Sequence, residues 1–207
     1  TASAYLGARY CYEKYAGGNP DDLQFSVTWI GFWFNIPGFT LDPTEETKTL
    51  FDSGADVVIS GIDTTEVMTV ASQRVAEGET VWAVPYDYEG ACEEAPDICL
   101  GTPYFHWGPS YVEVVEGVKD GSWEQTWVWN SPDWEDINNP ETTAVGYIKG
   151  AGLSEEAEAA LDAFIAEMAE FATDPANADT YFLWEGPLVL QDGTAIAAEG
   201  EAIPKIA

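Results

Sequence analysis

Four strand ends of this 207-residue chain gather aromatic rings and isolated carboxylates between them, a mixture suited to recognising a flat, polar small molecule. The segments are Val27-Thr-Trp-Ile-Gly-Phe-Trp-Phe-Asn35, Gly61-Ile-Asp-Thr-Thr-Glu66, Val84-Pro-Tyr-Asp-Tyr-Glu-Gly90 and Tyr104-Phe-His-Trp-Gly-Pro-Ser-Tyr111. A ring face stacks on a heterocycle, and a carboxylate can accept two hydroxyl hydrogen bonds at once. Each segment follows an apolar, β-branched run, and three of the four lead into a stretch with helical period. In open α/β sheets the carboxyl ends of the strands line the ligand crevice. The arrangement therefore points to recognition before it points to catalysis.

Signatures of catalysis are missing. There is no Gly-x-Ser-x-Gly elbow, P-loop, His-Glu-x-x-His or dinucleotide glycine fingerprint, so no enzyme and no cofactor is expected. His106 is the only histidine, and a lone histidine is more often a hydrogen-bonded surface or hinge residue than a catalyst. Paired acids for glycoside hydrolysis are uninformative in a chain with 37 Asp+Glu.

The elements that must position these residues read as alternating helices and strands. Ala2 to Tyr15 reads as a helix that Gly17-Gly-Asn-Pro20 ends. A strand is expected at Leu23 to Ile30, before Asp42-Pro-Thr-Glu45, where an N-cap, a first-turn proline and a capping-box glutamate open a helix closed by Gly54. Ala55 to Ser60 is a buried-strand run. Asp63-Thr-Thr-Glu66 repeats the capping-box pattern and opens a helix to about Glu77. Strands follow at Thr80 to Val84 and Ile98 to Thr102. A helix from Gly108 to about Lys119 has Tyr111, Val114, Val115 and Val118 on its apolar face, and an aromatic strand is expected at Ser122 to Trp129. An irregular stretch over 130–143 precedes a helix capped by Ser154, with Ala157, Leu161, Phe164, Ile165 and Met168 on one stripe. Short strands at Tyr181 to Trp184 and Leu188 to Leu190 lead to a turn at Gln191-Asp-Gly193. The alternation implies an α/β fold, a parallel sheet with helices on both faces.

Composition limits the partners. Hydrophobic residues make up 46%, enough for a sizeable core, while 37 Asp+Glu against 7 Lys+Arg give a net charge of −30. Such a polyanion repels nucleic acid and anionic lipid, and reads as a salt-adapted or acid-adapted surface. No apolar run is long enough to span a membrane, and no calcium loop or zinc spacing is present. Cys92 and Cys99 flank the acidic loop Glu93-Glu-Ala-Pro-Asp97 and can close a short disulfide in an oxidising compartment; the alternative is two unpaired thiols. Cys11 is left over. The chain starts at Thr1 with no signal peptide, so either processing removed one or the chain is a piece of a longer protein.

Several blocks, in order, resemble the basic membrane protein family of extracytoplasmic solute-binding proteins, which includes purine-nucleoside receptors feeding ABC transporters. They are Ala4-Tyr-Leu-Gly-Ala-Arg9, Trp29-Ile-Gly-Phe-Trp-Phe-Asn35, Asp52-Ser-Gly-Ala-Asp-Val-Val58, Pro85-Tyr-Asp-Tyr-Glu89, Thr102-Pro-Tyr-Phe-His-Trp-Gly-Pro-Ser-Tyr111, and Trp184-Glu-Gly-Pro-Leu188 with Asp192-Gly193. The resemblance implies a type I periplasmic-binding fold whose members are markedly longer. This chain then looks like the second lobe plus the returning C-terminal portion, with the N-terminal lobe missing or in another chain. Residues 1–102 would form the ligand-binding lobe, 103–150 the hinge and the segment returning toward the first lobe, and 151–207 the helix and strands closing the fold. The implied partners are a purine nucleoside, nucleobase or similar small polar heterocycle and an ABC permease. The implied location is periplasmic or cell-surface, with a lipid anchor on a missing N-terminus.

The resemblance also assigns roles. Trp33, with Phe34 beside it, matches the aromatic stacked on a purine ring, although three aromatics in a row must send at least one elsewhere. Asp87 matches the strand-end carboxylate used on ribose hydroxyls, with a turn cap as the alternative. Asp63 matches a position near the ligand, yet a capping box would explain it fully. Asn35 replaces the usual Asp, losing charge but keeping hydrogen-bonding capacity. Phe105 falls where some receptors have Lys and others Trp, favouring stacking over charge pairing. Trp107 opens a helix whose amino end can also face a ligand. A structural or protein-interaction subunit derived from such a lobe, with transport lost, is the alternative function.

Overall fold

Local capping chemistry opens two of the five α-helices, α2 and α5, in the computed structural model, which describes residues 1–190 and 192–204. Helix α1 covers Ala2–Lys14. Helix α2 (Pro43–Asp52) begins where expected: the Asp42 carboxylate accepts from the Thr44 and Glu45 amides at 2.9 and 3.3 Å, with Pro43 in the first turn. Glu45 does not complete a capping box; its carboxylate pairs with Lys48 at 2.8 Å instead. Gly54 follows α2 at φ +94°, a left-handed value that a side chain would resist. Strand β1 (Val57–Ile59) leads to α3 (Glu66–Ala76), whose N-cap is Thr65 without a side-chain cap bond. The capping role expected of Asp63 is therefore corrected: helix α3 starts two residues too late for that carboxylate to cap it.

Strand β2 (Trp82–Val84) is followed by two short 3₁₀ turns over 91–98, then by β3 (Gly101–Phe105), α4 (Gly108–Asp120) and β4 (Val145–Lys149). The strand expected at Ile98 to Thr102 thus starts three residues later, because Pro96 initiates a 3₁₀ turn ending at Ile98. Helix α5 (Glu155–Thr173) begins under the expected cap, with the Ser154 hydroxyl accepting from the Ala157 amide at 3.1 Å. Strands β5 (Thr180–Glu185), β6 (Leu188–Val189), β7 (Ala195–Ala197) and β8 (Ala202–Pro204) follow. Of the turn expected at Gln191-Asp-Gly193, Gln191 lies outside the described residues.

Two expected strands do not form. Residues 23–30 and 122–129 are extended or irregular, and their large side chains Trp29, Trp127 and Trp129 are 76%, 91% and 65% exposed. Strand propensity expresses itself only where a neighbouring strand takes the backbone bonds, and no ladder partner lies beside either segment among the described residues.

The chain divides into two compact units, Thr28–Glu158 and a smaller one of Thr1–Val27 with Ala159–Ala207. In the larger, β1 and β2 pair in parallel with Val58 opposite Ala83. Single parallel bridges, Ala83 to Cys99 and Asp87 to Tyr104, attach the next segment, and β3 pairs antiparallel with β4. The architecture is therefore mixed α/β with a short parallel sheet. Its core joins Phe51 of α2 and Val67, Met68, Val70 and Ala71 of α3 to Val58, Val81 and Ala83. On the opposite side of β1, Val57 and Ile59 are exposed, so within this unit α2 and α3 cover one face only, not both as expected. Helix α4 buries none of its residues; its expected apolar stripe, Tyr111, Val114, Val115 and Val118, is open.

In the smaller unit, rings of Tyr10, Phe164, Phe171 and Phe182 cluster at 5.3 to 6.1 Å. Beside them Glu167 accepts from Lys14, Tyr10 and Tyr15 at 2.5, 2.6 and 2.7 Å. Lys14 first, then the two phenols, pull the Glu167 pKa down to about 2 from the usual carboxylate value near 4.5. A depressed acid contributes stability that is complete above its unfolded pKa and lost as pH falls through the folded one. Acid loosening of α1 between about pH 4.5 and 2 is expected, and Glu167→Gln should abolish that pH dependence. Amide exchange in α1 across this range would check it; equal acid response in both proteins would refute it.

Candidate ligand-binding site

The backbone brings three of the four aromatic–acid segments to one neighbourhood and ties in the fourth. After β2 the chain passes through buried Pro85 and half-buried Tyr86 to Asp87, which adopts φ +84°. Few non-glycine residues occupy this left-handed region, and Asp and Asn are among those that tolerate it. The twist is held from both sides: the Asp87 amide donates to the Pro103 carbonyl at 3.0 Å, and its carbonyl accepts from the Phe105 amide at 3.2 Å. The Asp87 carboxylate itself makes no hydrogen bond among the described residues. The expected turn-cap alternative for Asp87 is thus not used.

A run of four rings flanks the Asp87 backbone in sequence and register. Tyr86 meets Phe105 edge to face at 5.8 Å, Phe105 meets Trp107 at 5.6 Å, and Trp107 stacks on Tyr111 at 6.1 Å. Burial pushes the Tyr86 phenol up, and the charges of Asp87 and Asp63 push it further. The Asp63 side chain is exposed, and its amide donates to the Trp33 carbonyl at 2.8 Å. That bond fixes the loop carrying Trp33 and Phe34 to the end of β1. Phe34 pairs edge to face with Phe32 at 5.1 Å, leaving the Trp33 ring, 60% exposed, without an aromatic partner among the described residues.

Asn35 does different work. Its amide nitrogen donates to Asp42 at 3.0 Å and its oxygen accepts from the Thr40 hydroxyl at 3.2 Å, so both polar ends close the loop onto the α2 cap. His106 is likewise engaged: its Nε2 lies 2.6 Å from the Pro140 carbonyl, which can only accept, and its amide donates to the Ala144 carbonyl. The proton thus sits on Nε2, and the ring is a strut between β3 and the 130–143 excursion. Cys92 and Cys99 are joined in a disulfide, and Cys11 is the free cysteine, its thiol pushed up by burial and then by Glu167. Among the described residues no cluster of His, Cys, Asp and Glu is arranged to hold a metal ion, and no helix is long and apolar enough to cross a membrane.

Tyr86 is the site residue that sequence reasoning did not single out. Its place depends on the bridge of Asp87 to Tyr104, which sets Tyr86 edge to face with Phe105.

Two open depressions in the larger unit lie away from this cluster. A groove of about 680 Å³ runs along α4, lined by Pro109, Val112, Glu113, Glu116, Asp120 and Glu141 among others. A pocket of about 80 Å³ lies between α2, β1 and the start of α3. The groove offers carboxylates without ring faces, a poor match to a heterocycle. Around Tyr86, ring faces, a phenol and the Asp87 carboxylate lie on an open surface. Such a surface can stack a flat ring and accept hydrogen bonds from hydroxyl or N–H groups.

No known family profile matches the chain. Over 113 residues it is 31% identical to a purine-binding protein of Brucella abortus (strain 2308). That stretch is 54% of this chain and 29% of the Brucella protein, so the match spans under a third of that relative's length.

Proposed function

We propose that this chain is the ligand-recognising portion of an extracytoplasmic solute-binding protein for a purine nucleoside, nucleobase or similar small polar heterocycle. The carrying observation is the ring run from Tyr86 through Phe105 and Trp107 to Tyr111, joined through the Phe105 amide to Asp87, whose carboxylate makes no hydrogen bond among the described residues. Similarity to a purine-binding protein supports it. In this reading Trp33 stacks on the base, Asp87 takes sugar hydroxyls, Asp63 a further donor, and Phe105 and Trp107 supply ring faces, with Phe34 steadying the Trp33 loop. Asn35 contributes through the loop it closes. The reading is a binding function rather than an enzymatic one.

The finer picture is a type I periplasmic-binding fold in which residues 1–102 form the binding lobe, 103–150 return toward a first lobe and 151–207 close the structure. Hinge closure against that lobe would bury the ligand for delivery to an ABC permease. The open face of β1 and the apolar stripe of α4 suit a second wall. The Cys92–Cys99 disulfide suits an oxidising, periplasmic or cell-surface location. The same open stripe favours a second reading, a protein-interaction subunit that has lost transport.

Calorimetric titration with adenosine, inosine, adenine and hypoxanthine tests the proposal. Binding is expected, and Trp33→Ala should weaken it about tenfold, the scale of one aromatic contact. If none of the four binds, the purine assignment fails and the interaction reading stands.

A further inference from the structure

The small pocket between α2, β1 and the start of α3 collects polar oxygens that the protein itself leaves unanswered. Its volume is about 80 Å³, well below the roughly 300 Å³ at which pockets for organic ligands begin. Among the described residues, Thr64 Oγ1 and Glu66 Oε2 are fully buried atoms without a hydrogen bond, and both residues line this pocket. Thr47 lines it from α2; it is only 7% exposed, and its hydroxyl has no hydrogen-bond partner among the described residues either. Ser60 adds a hydroxyl engaged only by two long contacts to Ile62, at 3.4 and 3.5 Å, and Glu46 adds a second carboxylate. No lysine, arginine or histidine lines the pocket, while the core residues Val58 and Val67 form part of its wall.

A carboxylate oxygen buried without a partner is costly, and unpaired buried polar atoms in a native fold call for an explanation. A hydroxyl could satisfy Glu66 by donating to it, yet none of the three does. What the set lacks is positive charge. Donors that are all oxygen suit a hard cation, and one buried carboxylate oxygen among neutral hydroxyls calls for a single charge. A divalent ion normally brings several carboxylates together, and no group of three or more His, Cys, Asp and Glu is placed to hold one among the described residues. We propose that this pocket is an alkali-cation site, taking sodium or potassium on Glu66, Thr64 and Thr47, with Ser60 and Glu46 as further oxygens. It does not depend on the purine reading. Its effect is to tie α3 to α2 and to the end of β1 in a chain whose net charge is −30.

Thermal melting of the intact protein in sodium, potassium and choline chloride at equal concentrations tests it. Choline screens surface charge like the others but is too large for the pocket. Once sodium or potassium reaches about five times its dissociation constant, Tm should stand about 2–4 °C above the choline value. Selectivity in either arm supports the site and names the ion. Glu66→Gln and Thr47→Val should each remove that difference and leave the response to choline unchanged. Thr47→Val should also change sign between salts: melting no lower than wild type in choline, where the hydroxyl has nothing to bind, and lower in the selective salt. Equal melting of the wild type in all three salts refutes the proposal and leaves the pocket to water. A selective gain that survives both substitutions places the cation elsewhere and refutes it too.

Discussion

Asp87→Gly should leave the protein about as stable as before while removing most of its ligand affinity. A left-handed backbone costs an L-residue roughly 1–2 kcal/mol, less for Asp and Asn, and glycine avoids that cost. Against this, glycine loses more conformational freedom on folding, by roughly 0.5–1 kcal/mol. The two terms nearly cancel. Both backbone bonds, to Pro103 and from Phe105, survive the change, and the lost carboxylate made no hydrogen bond within the described protein. Stability is thus nearly neutral, where Asp87→Ala at φ +84° should be the costlier substitution. Binding behaves differently: hydrogen bonds to a charged acceptor contribute about 1.5–3 kcal/mol each, a loss of roughly tenfold to a hundredfold. Asp87→Asn, which also tolerates the backbone and keeps one acceptor oxygen, should fall between. Urea denaturation paired with calorimetry on the three variants separates the effects. A destabilised Asp87→Gly with wild-type affinity would make the carboxylate structural and remove it from the site.

The sequence reading succeeded where a signal is local and failed where it needed a neighbour. The Asp42 cap, Pro43 in the first turn and Gly54 beyond α2 are written within a dozen residues, and α2 follows them. The runs at 23–30 and 122–129 carry strong β propensity, yet a strand is a relation between two segments, and no partner appears for either among the described residues. Asp63 shows the reverse error: a complete local pattern for a cap, overruled because α3 begins at Glu66 with Thr65 in the capping position. Freed from that explanation, Asp63 becomes more interesting as a site residue. Asn35 moves the other way, its amide spent between Thr40 and Asp42. The site's acids and rings were legible as residue types at strand ends. The contact of Tyr86 with the rings after β3 was not, because it depends on the parallel bridge between residues 17 apart, Asp87 to Tyr104.

Removing the Cys92–Cys99 disulfide should cost both stability and site geometry. The bond spans a sequence separation of 7 with its Cα atoms 5.5 Å apart. Cross-linking so short a loop lowers the entropy of the unfolded chain by about 2.5 kcal/mol at room temperature. Both cysteines belong to the core, Cys99 fully buried, in company with Met68, Val70 and Ala83. Cys99 bridges to Ala83 of β2, and the Leu100 amide donates to the Ala83 carbonyl at 3.0 Å. The loop therefore returns the chain to β2 in the register from which β3 sets out. Four residues beyond Gly101, that register places Phe105 against Asp87 and Tyr86. Cys92→Ala with Cys99→Ala should lower stability by about 2–4 kcal/mol, the range for a native disulfide, and weaken ligand binding by loosening the β2–β3 register. A reductant should reproduce both effects in the wild-type protein and have none in the double variant. Indifference of the wild type to reductant would show that core packing alone sets the register. A stability loss without an affinity loss would confine the disulfide's role to the fold and leave the bridge between Asp87 and Tyr104 to hold the site by itself.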